Sequence, residues 1–211
     1  LQPTPDTGKD TYVQSDAAGA QTNHGRSAEL LVGDASTLQA DFRAFVEFGL
    51  HALPPGSQVT AARLELWVTG ARHGDTTQRL QLHRVIPTTS TAATVVRQTP
   101  WYEGTSTSGA TLDGLCWSAG ASARHTQPNV DATTDYGNGP NGVVAEATVA
   151  AGTAGARVTF DVTPVVAQWV AGAAENHGLR LSHAAEGAPF ADGAKVFASS
   201  DDADPTKRPR L

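Results

Sequence analysis

Methionine is absent from this chain of 211 residues, cysteine occurs once and lysine three times. Cys116 has no partner for a bridge within the chain. The expected role of Cys116 is a small buried side chain, and a bridge between two chains is the alternative. No run approaches the roughly 18 apolar residues of a membrane span. Neither an initiator methionine nor a signal-like segment is present, as expected of a mature or excised domain.

Basic runs are also missing. The formal net charge is −6, and carboxylates and guanidinium groups are scattered along the chain. A negative chain without a basic stripe argues against nucleic acid as a partner. It also disfavours non-specific attraction to polyanions. Binding of an acidic polymer would therefore require a local cluster of arginines, whose planar guanidinium groups suit carboxylates.

The residue patterns of common enzymes are lacking as well. Seven histidines occur singly, and none has the helical i, i+4 spacing of a zinc hydrolase. There is no Cys-x-x-Cys, nucleophile elbow or phosphate-binding glycine loop. A lyase set could be assembled from His83, Arg79 and Tyr102, but no spacing supports it. The patterns predict no catalytic site.

The sequence does have alternation, which is typical of half-buried strands. Apolar residues occupy the even positions from Phe42 to Phe48, and 59–68 alternates in the same way. Leu80 and Leu82 continue the pattern after a polar stretch at 71–77, which together predicts an antiparallel hairpin. Further strand signals lie at 143–149, 156–162, 178–183, 195–198 and 209–211.

One short helix is predicted at about 163–172. Thr163 is a good N-cap, and Pro164 falls at the first helical position, where a missing N–H costs nothing. The apolar residues that follow share one helical face, from which Trp169 would fasten the helix to an otherwise all-β chain. Asn-His-Gly occurs twice, at 23–25 and 176–178, and both triplets predict turns because Asn and Gly tolerate positive φ.

Several of these segments match a known family in the same order. The matching motifs are Asp10-Thr11-Tyr12-Val13, Asn23-His24-Gly25, Leu30-Leu31-Val32-Gly33, 43–50, Leu53-Pro54-Pro55-Gly56, 61–68, Trp101-Tyr102-Glu103-Gly104, the helix region and 196–211. In this set the chain resembles the DNRLRE-type (disaggregatase-related) β domains of secreted proteins, some of which are classed as alginate-type carbohydrate-binding modules. A more distant likeness, to the arm domain of transforming growth factor beta propeptides, rests on 160–169 and 61–68.

The resemblance implies an all-β fold, an antiparallel jelly-roll-like β-sandwich, and binding rather than catalysis. It also implies a secreted, extracellular location. We expect residues 1–9, rich in Pro, Thr and Gly, to be a linker and 10–211 to form a single domain.

Two groups of residues are candidates for sugar binding, which uses flat aromatic rings and planar polar groups. Trp67 is expected on an outer sheet face near Arg79 and His83. The aromatic residues Trp101, Tyr102 and Trp117 lie in or beside the long polar stretch 100–142, which predicts a functional or partly ordered loop. Packing inside the protein is the alternative role for each ring, because aromatic side chains bury much area.

A structural calcium ion is the third candidate feature. Asn129, Asp131, Asp135 and Asn138 place hard oxygen ligands at short spacing in a glycine-rich segment, which suits Ca²⁺. The resemblance favours the ion, since jelly-roll binding modules often hold one. The acidic residues at 201, 202 and 204 are expected to be turn residues.

The sequence therefore predicts a non-catalytic module that binds an extracellular polysaccharide and anchors or targets an attached protein. One alternative is a structural subunit of a surface layer, filament or adhesive stalk, which would associate with copies of itself through an open sheet edge near the C-terminal strand. A second alternative is a polysaccharide-degrading enzyme.

Overall fold

The computed structural model describes residues 1–3, 7–20, 22–85, 101, 103–104, 115, 142–187, 189–190 and 192–211. These residues form nine strands and one helix. The strands are β1 (Gly8–Gln14), β2 (Glu29–Ala35), β3 (Ala40–Phe48), β4 (Arg63–Arg72), β5 (Gln78–Arg84), β6 (Val143–Val149), β7 (Ala156–Asp161), β8 (Leu179–His183) and β9 (Gly193–Ala198), and the helix is α1 (Thr163–Val170).

All strand pairings are antiparallel, in the order β6-β5-β8-β3-β2-β9-β4-β7, with β1 added to β3. The ladder folds back on itself, so that β6 and β7 at its two ends lie side by side. Apolar side chains from both halves meet in one interior cluster. The result is a nearly closed β-sandwich, which confirms the predicted fold class. We call β6-β5-β8-β3-β1 the first layer and β7-β4-β9-β2 the second.

Strand β3, which we count in the first layer, also pairs with β2 of the second layer. Along one edge, residues 42–48 pair with β1. The opposite edge is divided, because residues 40–42 pair with β2 and residues 44–46 pair with β8. The layers therefore separate next to Arg43. Nearly every residue of β3 is buried, since the strand has protein on both of its faces.

Helix α1 packs its apolar face into the interior, where Val165, Val166 and Trp169 are buried as predicted. The predicted cap is wrong in detail. Thr163 is the first helical residue rather than the N-cap, and the Asp161 carboxylate accepts hydrogen bonds from both its N–H (2.9 Å) and its hydroxyl (2.6 Å). The helix ends at residue 170, two residues before the sequence-based estimate, and the chain turns at Gly172 with a φ of +70°.

The predicted hairpin between β4 and β5 is wrong. Strand β4 pairs with β7 and β9, and β5 pairs with β6 and β8, so the chain crosses from the second layer to the first between them. Asp75 holds this crossing over the end of the sandwich by accepting hydrogen bonds from Gly152 N–H (2.7 Å) and from the ammonium of Lys195, which is wholly buried. Alternation shows which face of a strand is buried, but it does not identify the neighbouring strand.

The segment after β9 pairs with β4 of the second layer. Backbone hydrogen bonds join Glu65 and Arg210 in both directions, at 2.8 and 3.0 Å, and form an isolated antiparallel bridge. None of the described helical residues forms a helix long and apolar enough to cross a membrane.

Candidate functional site

The outer face of the first layer is covered by a short segment that contains Trp101. We call residues 101, 103 and 104 the strap. The Trp101 ring is only 2% exposed and packs on Phe45, with ring centroids 6.1 Å apart. Its indole N–H donates to the carbonyl of His177 at 2.9 Å, and Lys9 both lies over the ring and donates to the Trp101 carbonyl. Trp101 thus forms part of a second apolar cluster.

Both Asn-His-Gly triplets contact the strap, the second through the His177 carbonyl that accepts from Trp101. In the first, the Asn23 amide donates to the Glu103 carbonyl (2.8 Å) and accepts from Gly25 N–H. In the second, the Asn176 amide donates to the Phe48 carbonyl and accepts from the glycine N–H in the same way. Gly25 and the Glu103 carbonyl approach so closely that a Cβ at Gly25 would lie 1.8 Å from that oxygen. Both triplets form the turns that the sequence predicts.

The same outer face buries several charged and polar side chains. Arg43 forms a bidentate pair with Glu186, and Arg180 is buried beside it on the neighbouring strand. Burial, followed by the positive charge of the nearby Arg180 guanidinium, lowers the pKa of His83 to about 4. Because these side chains are covered, His83 is not presented to solvent. Arg79 is exposed and pairs with Glu146 of β6 at 2.6 Å.

The outer face of the second layer is partly exposed along β4 and β7, and this part contains Trp67. This ring is partly exposed on β4 and faces Arg157, its cross-strand partner on β7. The Arg157 guanidinium carbon lies 5.6 Å from the ring centroid, within cation–π range. We call Glu65, Trp67, Arg157 and Arg210 the Trp67 platform.

Two guanidinium groups of the platform converge on one acceptor. Arg157 and Arg210 both donate to the carbonyl of Thr206, Arg210 at 3.0 Å. Partial burial lowers the pKa of Arg157, and the positive charge of Arg210 lowers it further. The Glu65 carboxylate lies 3.9 Å from the Arg157 guanidinium group. Among the residues that the structure describes, no carboxylate lies within 4.0 Å of Arg210, so the platform is locally cationic on a negative chain.

A depression of about 530 Å³ adjoins the platform and shares Glu65 and Arg210 with it. Its other walls include Ala62, Arg63 and Leu211. The platform itself is a sheet surface. It therefore offers an aromatic ring, planar cations and one carboxylate to a ligand lying along the strands.

The predicted site residues that the structure describes lie on different layers. Trp67 lies on the second layer, whereas Arg79 and His83 lie on the first, so the expected proximity of Trp67 to these two is wrong. Trp101 is buried on the outer face of the first layer, where it packs with Val13, Phe45 and Val85. The remaining candidates and Cys116 lie outside the described residues, namely Tyr102, Trp117, Asn129, Asp131, Asp135 and Asn138.

Sequence reasoning missed Arg157 and Arg210. Alternation in 156–161 could have placed Arg157 on the outer face, opposite buried Phe160. Its position beside Trp67 depends on a strand pairing that periodicity cannot reveal. Arg210 reaches the platform only because the last residues pair with Glu65.

A family model describes residues 4–115, more than half of the chain, as carbohydrate-binding module family 96. The chain belongs to this family. The match is compatible with the resemblance to carbohydrate-binding β domains, and its span covers the motifs from Asp10 to Gly104. No curated protein matches the chain.

Calcium remains a prediction. Within the described ranges, no group of three or more His, Cys, Asp or Glu residues is arranged to hold a metal ion. The acidic residues after β9 are turn residues, as expected: Asp202 accepts from Asp204 N–H, and Asp204 accepts from the N–H and hydroxyl of Thr206.

Proposed function

We propose that this family 96 module binds an extracellular polysaccharide without cleaving it, and that the Trp67 platform is the contact surface. The observation that carries the proposal is the convergence of Arg157 and Arg210 on the Thr206 carbonyl beside the partly exposed Trp67 ring. A sugar ring stacks on the indole, and the guanidinium groups donate to ring hydroxyls or acidic substituents.

The strands keep the platform rigid. Trp67 and Arg157 are paired through the backbone, and Glu65 is fixed on its other side by Arg210. A preorganised surface loses little conformational entropy on binding, which favours a module that anchors or targets an attached protein. The depression beside Glu65 provides space for a neighbouring sugar or substituent.

Affinity electrophoresis through gels that contain acidic or neutral polysaccharides tests this assignment. Trp67→Ala and Arg157→Ala are expected to reduce retention at least tenfold, about 1.4 kcal/mol of binding free energy. Arg79→Ala is the matched control, because it removes the same charge from the first layer. Loss of retention in the Arg79 variant alone would contradict the platform.

The same samples address the two alternatives. A polysaccharide-degrading enzyme would release reducing or unsaturated ends from the panel, and non-catalytic binding predicts none. A structural subunit would show concentration-dependent assembly in light scattering without retention in any gel. We expect retention by a species whose mass does not depend on concentration.

A further inference from the structure

We propose that Asp10 and Glu103 form a proton-dependent clasp, which holds the strap against strand β1 while these carboxyls are protonated and loosens as they ionise. The clasp lies at the free edge of β1, away from the Trp67 platform. It does not depend on the proposed sugar binding.

The geometry of Asp10 is that of a buried acid without a cation. The side chain is 1% exposed, and its oxygens accept from the N–H (2.7 Å) and the hydroxyl (3.1 Å) of Ser200. Within the described part of the chain, no Lys, Arg or His nitrogen lies within 4.0 Å of this carboxyl. A buried carboxylate that lacks a cation is costly, and the cost is avoided when the group keeps its proton.

Glu103 brings a second carboxyl to the same place. Its Oε1 accepts from the backbone N–H of Asp10 at 2.8 Å, and this bond joins the strap to the edge of β1. Two acids this close disfavour simultaneous ionisation. When both are charged, their repulsion acts across the contact that the Glu103 side chain makes.

The surroundings add charges of both signs. Asp201, in the turn after β9, raises the proton affinity of both acids, whereas Arg26 and Lys9 favour ionised Glu103. Lys9 is engaged elsewhere, with Glu47 of β3 at 3.1 Å and the Trp101 carbonyl at 2.7 Å. His24, in the same turn as Arg26, stacks on Tyr12, and the side chain of His177 pairs with Glu175.

The pKa values agree with this geometry. Burial is the main reason that the pKa of Asp10 is raised to about 8; the charges of Glu103 and Asp201 also raise it, and the hydrogen bonds from Ser200 oppose the increase. Burial likewise raises the pKa of Glu103 to about 7. A raised folded-state pKa stabilises the fold at low pH, and this stabilisation is lost as pH rises through about 7 and 8.

The test is thermal unfolding between pH 6.5 and 9, the range that contains the raised pKa values of Asp10 and Glu103. The wild-type melting temperature is expected to fall by about 5 °C or more across this range. Asp10→Asn with Glu103→Gln retains acceptors and removes the titration, so its melting temperature should stay level. Glu175→Gln, which removes one carboxylate close to the strap but outside the clasp, should fall like the wild type.

A local measurement keeps the proposal testable if the double variant does not fold. In NMR titrations of wild-type protein, the indole N–H of Trp101 and the backbone N–H of Asp10 should shift with midpoints near pH 7–8. Asp201→Asn should move these midpoints to lower pH, because it removes a like charge. A level wild-type melting temperature, or resonances that do not move in this range, would overturn the clasp.

Discussion

Trp101 and Trp67 both lie outside the sandwich interior, on opposite layers, and their surroundings differ. Trp101 is sealed between Phe45 and Lys9, and its indole N–H is paired with the His177 carbonyl. Trp67 is partly exposed, and its close neighbour is a guanidinium group. Protein therefore covers the Trp101 ring, whereas solvent reaches the Trp67 ring. An aromatic residue on an outer face does not by itself indicate a binding site.

Several of the motifs on which the family resemblance rests meet at the strap that contains Trp101. Asp10, Asn23, Gly25, Trp101 and Glu103 are far apart in sequence and meet at the strap. Their bonds join segments of the fold to one another. We infer that these five residues stabilise the architecture of the module. Of the Trp67 platform, Arg157 lies outside the motif segments, whereas Glu65, Trp67 and Arg210 lie within them.

The largest expected effect comes from removing Trp101. Trp101→Ala leaves a cavity in the second apolar cluster and removes the hydrogen bond to His177, so we expect a loss of about 3–5 kcal/mol in the free energy of unfolding. Chemical denaturation measures it. A loss below about 1 kcal/mol would show that the strap is not part of the folded core.

A smaller but substantial effect is expected at Gly25. A Cβ there would lie 1.8 Å from the Glu103 carbonyl oxygen, so Gly25→Ala must displace the strap. We expect a loss of about 2–3 kcal/mol. Gly70→Ala is the matched control, since no atom lies within 4 Å of its added Cβ. Equal stabilities of the two variants would argue against close contact between the turn and the strap.

The buried face of the first layer also predicts a response to acid. The folded-state pKa of His83, about 4, lies below the ordinary value near 6.5, so the stabilisation is present above pH 6.5 and is lost as pH falls towards 4. Relative to His83→Gln, the wild type should lose about 2 kcal/mol over this range. Urea titrations at pH 4.5 and 7 measure the difference, and parallel pH profiles would refute the assignment.

The smallest effect on stability is expected at Trp67. Because its ring is partly exposed and lies outside the interior, Trp67→Ala should change the free energy of unfolding by less than about 1 kcal/mol. The same variant should lose retention on polysaccharide gels, which Trp101→Ala should preserve if it folds. A large loss of stability in this variant would show that the Trp67 ring, like that of Trp101, stabilises the fold.

Much of the fold was accessible from the sequence. Strand β6 falls on the predicted residues 143–149, and the strands at 42–48 and 178–183 and the Trp169 helix are present within a few residues. Local alternation and turn residues determine such elements directly. Strand order was not accessible in the same way, because β4 and β5 each satisfy an alternating pattern whichever strand lies beside them.

The candidate site was accessible only in part. Trp67 could be placed on an outer face, but its neighbours Arg157 and Arg210 lie 90 or more residues away in sequence. Trp101 shows the opposite limitation, because composition around 100–142 suggests an open loop and tertiary contacts bury the ring. Burial of an outward-facing residue depends on what covers the sheet, and alternation contains no information about that cover.

The division of strand β3 between the two layers constrains the whole alignment of the sandwich. A slip of two residues would keep its apolar side chains facing inward, and in a hairpin it would cost little. Here it would misalign three ladders at once, with β1, β2 and β8. Strand β3 thus fixes the register of its three neighbouring strands. It disfavours misfolded states in which a strand is shifted by two residues, which alternation alone would permit.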